Sequence, residues 1–375
     1  MILILIFLLF IYYWKKDLFI SSLYLYHASF LLLFNYWAST KGADTIQYEI
    51  FTREFILNLK PGVDFLYTII SFFRIFIFLE IISIIFNFIG FIAIVLFYET
   101  LKKINVGDVY AKLICLTPSL HFFTSTMGKD TLVFLGLMCV IFYLLNNQIY
   151  KKTLFNSKMI IFGFLMILMI RPHIFVLSFP LFLFSILIHN IKSKFSLYVF
   201  YLLLALSALT LFYINQILCI FVQPFCDEES FLDILSQVNE FGDRLAVDNK
   251  GSDYRLSIIP YNIFAYLLFP FEAVSNNSIF HKFGVIDSLY TLFFFFLIIK
   301  NTSSKNHKIN SYNNSILLFL SLYVIIYLSI FPNTFSNFGL NLRQKIMIWP
   351  YLLIFFIFLK DLILTAKLKS KIIGK

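Results

Sequence analysis

The chain has 375 residues, of which 60% are hydrophobic and only 13% are charged. Its 50 phenylalanines and 22 tyrosines exclude an ordinary water-soluble enzyme and predict a polytopic membrane protein. The net charge of +10 is expected to lie mostly on lysines at the cytoplasmic face, so it does not indicate a nucleic-acid partner. The four cysteines lack metal-ligand spacing, and we expect neither a metal site nor a cofactor.

Apolar segments of spanning length recur along the whole chain. We predict an all-α fold with about eleven transmembrane helices, at 1–14, 18–37, 79–98, 109–127, 131–149, 159–170, 174–189, 195–222, 285–299, 315–331 and 346–364. Two interrupted apolar segments, 65–77 and 258–274, are predicted to be re-entrant or interfacial. Residues 1–375 then form a single integral membrane domain with two outer loops, 38–78 and 223–258, the second a loop subdomain.

Lysine and arginine separate to opposite sides of this predicted topology. Short lysine-rich loops and the tail from Lys360 are assigned to the cytoplasm, because basic loops stay inside. The six arginines all fall on the outer side: Arg53, Arg74, Arg171, Arg244, Arg255 and Arg343. Arginine grips phosphate or carboxylate with two parallel hydrogen bonds, which favours an outer anion-binding vestibule. The alternative is chance among six residues in a chain whose coding bias favours lysine.

The turn Gly128-Lys129-Asp130 joins two of the predicted helices, 109–127 and 131–149. Charged residues at the edge of hydrocarbon are costly and usually functional. Lys129 and Asp130 are therefore candidates for contact with a substrate. The structural alternative is that the two charges only neutralise each other at a topological turn.

Further candidates lie in the other predicted outer segments. Asp44 is either a base or sugar-hydroxyl acceptor, or the cap of a short helix. Arg171 and His173 flank Pro172 at the tip of a short helical hairpin, where Arg171 requires an anion. His173 is either a proton shuttle or an interfacial histidine bonded to backbone. The loop 223–258 is either a lid over the vestibule or a solvated loop with a surface helix.

Three groups of residues together resemble a known family. They are Gly42-Ala-Asp44-Thr45 with Tyr48, the block from Pro118 to Gly128-Lys129-Asp130, and Pro270-Phe-Glu-Ala273 followed by Gly339-x-x-x-Arg343-Gln344. In this order they resemble motifs of the bacterial polysaccharide repeat-unit polymerases, the O-antigen and exopolysaccharide polymerases of the Wzy/EpsG-like type. Glu272 stands one place earlier than in the family pattern.

The resemblance implies a glycosyltransferase of the bacterial plasma membrane. Such a multi-pass enzyme joins undecaprenyl-diphosphate-linked oligosaccharide repeat units into O-antigen or capsular polysaccharide at the outer face. Its expected partners are these lipid-linked glycans, membrane lipids, a chain-length regulator and a flippase. The implied residue roles are bases (Asp44, Asp130, His173), diphosphate ligands (Arg171, Arg343, Lys129, Arg255) and glycan contacts (Tyr48, Arg244, Glu272).

Other functions remain open on the sequence. A flippase or transporter for the same lipid-linked glycan would need charges along an inner path and internal repeats. Another lipid-dependent glycosyltransferase or ligase would use the same outer cations. A membrane acyltransferase would need a catalytic histidine or arginine pair facing the cytoplasm, and the sequence shows none in the predicted topology.

Overall fold

The computed structural model describes residues 2–41, 48, 50, 52, 54–55, 57–149, 158–190, 279–301, 313–334 and 338–373. All the regular structure in these ranges is α-helical, which confirms the predicted all-α class. The longer helices are α1 (Ile2–Lys15), α2 (Leu18–Lys41), α3 (Val63–Arg74), α4 (Leu79–Lys103), α5 (Asp108–Cys115), α6 (Pro118–Thr124), α7 (Lys129–Ile149), α8 (Lys158–Ile170), α9 (Pro172–Asn190), α10 (Ile279–Asn301), α11 (Asn313–Thr334) and α12 (Phe338–Ile373).

Some of these helices are long and apolar enough to cross a bilayer. Within the described ranges two qualify, Leu18–Tyr36 and Leu79–Lys103, and the bent pair α6–α7 makes a third if it is counted as one span. Four shorter apolar helices accompany them. The helices agree with a membrane protein, and the count of eleven spans remains a prediction. The predicted spans at 1–14, 18–37, 79–98 and 131–149 each coincide with one helix.

The predicted single span at 109–127 was wrong. The structure divides it into α5 and α6, and α6 is bent by 114° from the start of α7. The break has a local cause, because Pro118 occupies the first turn of α6 and Thr117 before it adopts an extended conformation (φ −52°, ψ 118°). Lys129 and Asp130 consequently belong to the first turn of α7 and not to a turn between two spans.

The chain forms two compact units, residues 1–103 with 108–175 and residues 104–107 with 176–375. In the first unit α7 packs against α4 and α8. Glycines permit this close approach: a Cβ on Gly136 would lie 2.8 Å from the carbonyl oxygen of Gly163, and a Cβ on Gly163 2.7 Å from that of Gly136. Small residues at helix contacts are the usual device for close packing in membranes.

The described part of the second unit consists of residues 104–107, α9 from residue 176 onward, and α10, α11 and α12. It contains three fully buried tyrosines, and the ring of Tyr323 lies 5.7 Å from that of Tyr327 and 4.8 Å from that of Tyr351. The hydroxyl of Tyr327 donates to the backbone oxygen of Gln344 at 3.0 Å. This bond joins α11 to α12 and gives the buried phenol a partner.

Candidate functional site at the start of α7

A buried ion pair connects the start of α7 to the junction between α8 and α9. Arg171 Nη2 donates to Asp130 Oδ1 at 2.6 Å, and both residues are buried, with exposed fractions of 7% and 3%. Asp130 lies in the first turn of α7. Arg171 follows the last residue of α8, and its backbone N–H still donates to Ile167. Pro172 then begins α9, so the guanidinium is held between two helix ends.

The two charges depend on each other energetically. Removal of one member of a buried pair leaves an uncompensated charge and costs about 3–5 kcal/mol. The sequence analysis weighed Lys129 as the partner that neutralises Asp130, and the structure adds Arg171, 41 residues away, as an ion-pair partner. Among the described residues, the buried Arg171 Nε finds no hydrogen-bond acceptor. The guanidinium is thus anchored through one edge, and a donor remains for an anion.

Two more candidates from the sequence lie beside the pair. Lys129 begins α7 and is half-buried, whereas His173, in the first turn of α9, is exposed. The charges of both Arg171 and Lys129 act on His173. The structure therefore brings together Asp130, Arg171, His173 and Lys129, which sequence analysis placed on one outer face. With one carboxylate against two permanent cations, the group has a net positive charge and can bind an anion.

A turn just before this group is tied to its surroundings. The side-chain amide of Asn87 donates to the backbone oxygen of Ser125 at 3.1 Å. The hydroxyl of Thr131 contacts the backbone oxygens of Thr124 and Thr126, at 3.2 and 2.6 Å. Gly90 allows α4 to approach the end of α6, since a Cβ there would collide with the carbonyl oxygen of Thr124. These contacts fix the point at which Lys129 and Asp130 enter α7.

Two of the remaining candidates are described by the structure. Tyr48 is buried and packs edge-on against Tyr67, with ring centroids 5.7 Å apart. Arg343 is half-buried in α12, within the second unit. The four others lie outside the described residues: Asp44, Arg244, Arg255 and Glu272.

Sequence analysis missed two buried polar groups. His27, Asn87 and His121 meet in the first unit, where the two histidine Nδ1 atoms lie 3.0 Å apart. In the second unit Lys345, only 2% exposed, donates to Ser288 Oγ at 3.2 Å, and the charge of the buried Asp287 acts on it. The sequence contains a weak signal for the first group, because His27 interrupts an apolar helix. For Lys345, two residues after Arg343, the sequence gives no sign of burial.

Among the residues that the structure describes, no group of three or more histidine, cysteine, aspartate or glutamate side chains could hold a metal ion. At the start of α7 the chemistry available is that of the Arg171 and Lys129 cations, the ion-paired Asp130 carboxylate and the His173 imidazole.

Comparison with known proteins does not assign the chain. No protein-family model, curated protein or solved structure matches it.

Proposed function

We propose that the chain is a polysaccharide polymerase of the plasma membrane, which joins undecaprenyl-diphosphate-linked oligosaccharide units at the outer face. The observation that carries the proposal is the buried Arg171–Asp130 pair, with Lys129 and His173 beside it. The sequence resemblance supports the same function, since Gly128-Lys129-Asp130 belongs to one of the matching motifs. These residues lie at the sharp bend between α6 and α7. Irregular backbone at membrane depth is tolerated only where it contacts protein or lines a water-filled cavity.

The reaction needs an anion site more than any other feature. A hydroxyl of the acceptor unit attacks the anomeric carbon of the donor chain, and the bond from that carbon to the diphosphate oxygen breaks. Negative charge grows on the departing diphosphate as this bond lengthens. Cations fixed in a dry site stabilise that charge more in the transition state than in the ground state. Arg171, through its remaining donors, and Lys129 are the cations assigned to this task.

Asp130 and His173 then take different roles. One oxygen of Asp130 is committed to Arg171, so we assign Asp130 to positioning the guanidinium. His173 is exposed at the same place and can receive the proton of the acceptor hydroxyl. Asp44 remains a second candidate base from the sequence. Arg343, Arg255, Tyr48, Arg244 and Glu272 remain candidate contacts to the diphosphate or glycan.

A transporter of the same lipid-linked glycan is the second candidate function. The buried Lys345 and Asp287 favour it, because ionisable residues inside membrane helices often mark a transport or proton path. Such a protein would move the repeat unit and form no glycosidic bond.

The phenotype of a deletion strain separates the two functions. Gel electrophoresis of surface polysaccharide should show a lipid carrying a single repeat unit, because units still reach the outer face but are not joined. A plasmid copy of the gene should restore the ladder of longer chains. Loss of every repeat unit from the surface would contradict the polymerase and support the transporter.

A further inference from the structure

Two buried histidines of the first unit, His27 and His121, make three hydrogen-bond contacts through their ring nitrogens. Two neutral imidazoles carry only two ring protons for these contacts. His27 lies on α2 and His121 on α6, and both side chains are fully buried. Their Nδ1 atoms are 3.0 Å apart. His27 Nε2 faces the backbone oxygen of Asn87 at 3.0 Å, and His121 Nε2 faces that of Cys115 at 2.7 Å.

Counting protons shows what the arrangement requires. A carbonyl oxygen can only accept, so each Nε2 must carry a proton to bond it. The contact between the two Nδ1 atoms needs a third proton, because otherwise two lone pairs face each other. Two neutral imidazoles bring only two protons, one each. Any neutral state of this geometry therefore leaves one of the three contacts without a hydrogen bond, at the cost of a buried unsatisfied group.

Aromatic rings surround the pair. The His121 ring is stacked on Phe30 and meets the edge of Tyr26, with centroids 5.7 and 4.7 Å away. The His27 ring lies 6.0 Å from that of Phe91. Aromatic rings attract a cation most strongly when it is desolvated. In the described part of the chain neither histidine forms an ion pair with a carboxylate.

Among the described residues, the phenol of Tyr26 on α2 is the titratable side chain seen in contact with the pair. The two Nε2 atoms face backbone oxygens, those of Cys115 on α5 and Asn87 on α4. The phenol hydroxyl of Tyr26 donates to the backbone oxygen of Leu116. A phenol and a thiol are ordinarily neutral near pH 7, so neither Tyr26 nor Cys115 carries charge there and the imidazoles themselves are the proton acceptors.

We propose that His27 and His121 form a buried proton-binding site, which takes up one proton from solvent and shares it between the two Nδ1 atoms. The neutral pair gains one proton and a single positive charge, and no bond between heavy atoms changes. Uptake completes the link between α2 and α6. The backbone oxygen of His121 accepts the backbone N–H of Ser125, so the site adjoins the segment that leads to Lys129 and Asp130. The site does not depend on the proposed transferase activity.

Nitrogen NMR of the full chain in lipid vesicles tests this site. Protein with ¹⁵N in its histidine rings is titrated from about pH 8 to about pH 4, a range that brackets an ordinary histidine. The two Nδ1 signals are expected to change together for one proton taken up, with a coupling between the two nuclei, while both Nε2 atoms stay protonated. Two rings that titrate independently, or Nδ1 signals that never change, would overturn the proposal.

Variants assign the signals and extend the test. In the His121→Asn variant, the new side-chain amide can donate a neutral N–H to His27 Nδ1. His27 should therefore take up no proton within the same pH range. His27→Asn provides the reciprocal test if the first variant does not fold. The exposed His173→Asn is the matched control and should leave the paired signals unchanged. Undiminished proton uptake by the remaining histidine in either paired variant would contradict a shared proton.

Discussion

At the scale of single residues, the pairing of Arg171 with Asp130 explains why both charges tolerate burial. Their exposed fractions of 7% and 3% would be costly for unpaired ions. Sequence analysis identified both residues as candidates, and it could do so because charge is rare in this chain. It could not pair them, since 41 positions separate them and only the packing of α7 against α8 brings them together.

Single and double variants of the Arg171–Asp130 pair distinguish its contribution to the stability of the protein from its contribution to polymer formation. Asp130→Ala should lower the free energy of unfolding by about 3–5 kcal/mol, because the Arg171 guanidinium is left buried without its carboxylate. The double variant Asp130→Ala/Arg171→Ala should recover much of that loss, since no lone charge remains. Neither the single nor the double variant should produce polymer. Thermal unfolding in detergent and polymer length per amount of membrane protein are the two measurements. Long chains from the double variant would make the pair purely structural.

Guanidinium geometry gives a second prediction. Arg171→Lys keeps the positive charge but loses the planar fork that holds Asp130 and leaves further donors for an anion. We expect it to insert in the membrane at normal levels and to shorten or abolish the polymer. Full-length polymer from this variant would remove Arg171 from the diphosphate site.

Lys129 should behave differently from a surface lysine. Lys129→Gln removes a half-buried cation at the start of α7 and should shorten the polymer with little effect on protein level. Lys112→Gln is the matched control, because Lys112 pairs with Asp108 one helical turn away on the exposed side of α5. Equal chain lengths from the two variants would show that Lys129 has no special role.

At the scale of elements, the helices were predictable and the break in one of them was not predicted. Long apolar runs placed α1, α2, α4 and α7 to within a few residues, because hydrophobic length decides a membrane helix. Pro118 was visible in the sequence, but the apolar run 109–127 was long enough to mask its effect. At the 114° bend, α4 contacts the segment between α6 and α7, and no local sequence pattern contains such contacts.

Glycine substitutions test this packing. Gly90→Ala puts a methyl group into the carbonyl oxygen of Thr124, so α6 must shift, and overpacking of this kind costs about 1–3 kcal/mol. Gly128→Ala is the matched control, since its nearest neighbour would be Thr126 Oγ1 at 3.8 Å, an ordinary contact. Thermal unfolding of the two variants should therefore differ. Equal stability would mean that α4 does not hold the bend.

At the scale of the whole molecule, the proposed site lies on the outer face only if the sidedness inferred from lysine and arginine holds. Cysteines introduced at Lys41 and Ser230 should react with an impermeant thiol reagent added to intact cells. Cysteines at Ser157 and Asn306 should react only after the cells are opened. Labelling at Ser157 in intact cells would place the lysine-rich loops outside and contradict an outer arginine-lined site.

Purified protein in lipid vesicles offers the most direct test of the central claim, that the group around Arg171 and Asp130 joins lipid-linked glycan units. Vesicles containing the wild-type chain and undecaprenyl-diphosphate-linked repeat units should release undecaprenyl diphosphate and produce a ladder of longer glycans. Vesicles with Arg171→Lys should produce no ladder at equal protein content. A wild-type chain that leaves the repeat units unjoined, or an Arg171→Lys chain that joins them at the same rate, would contradict the account.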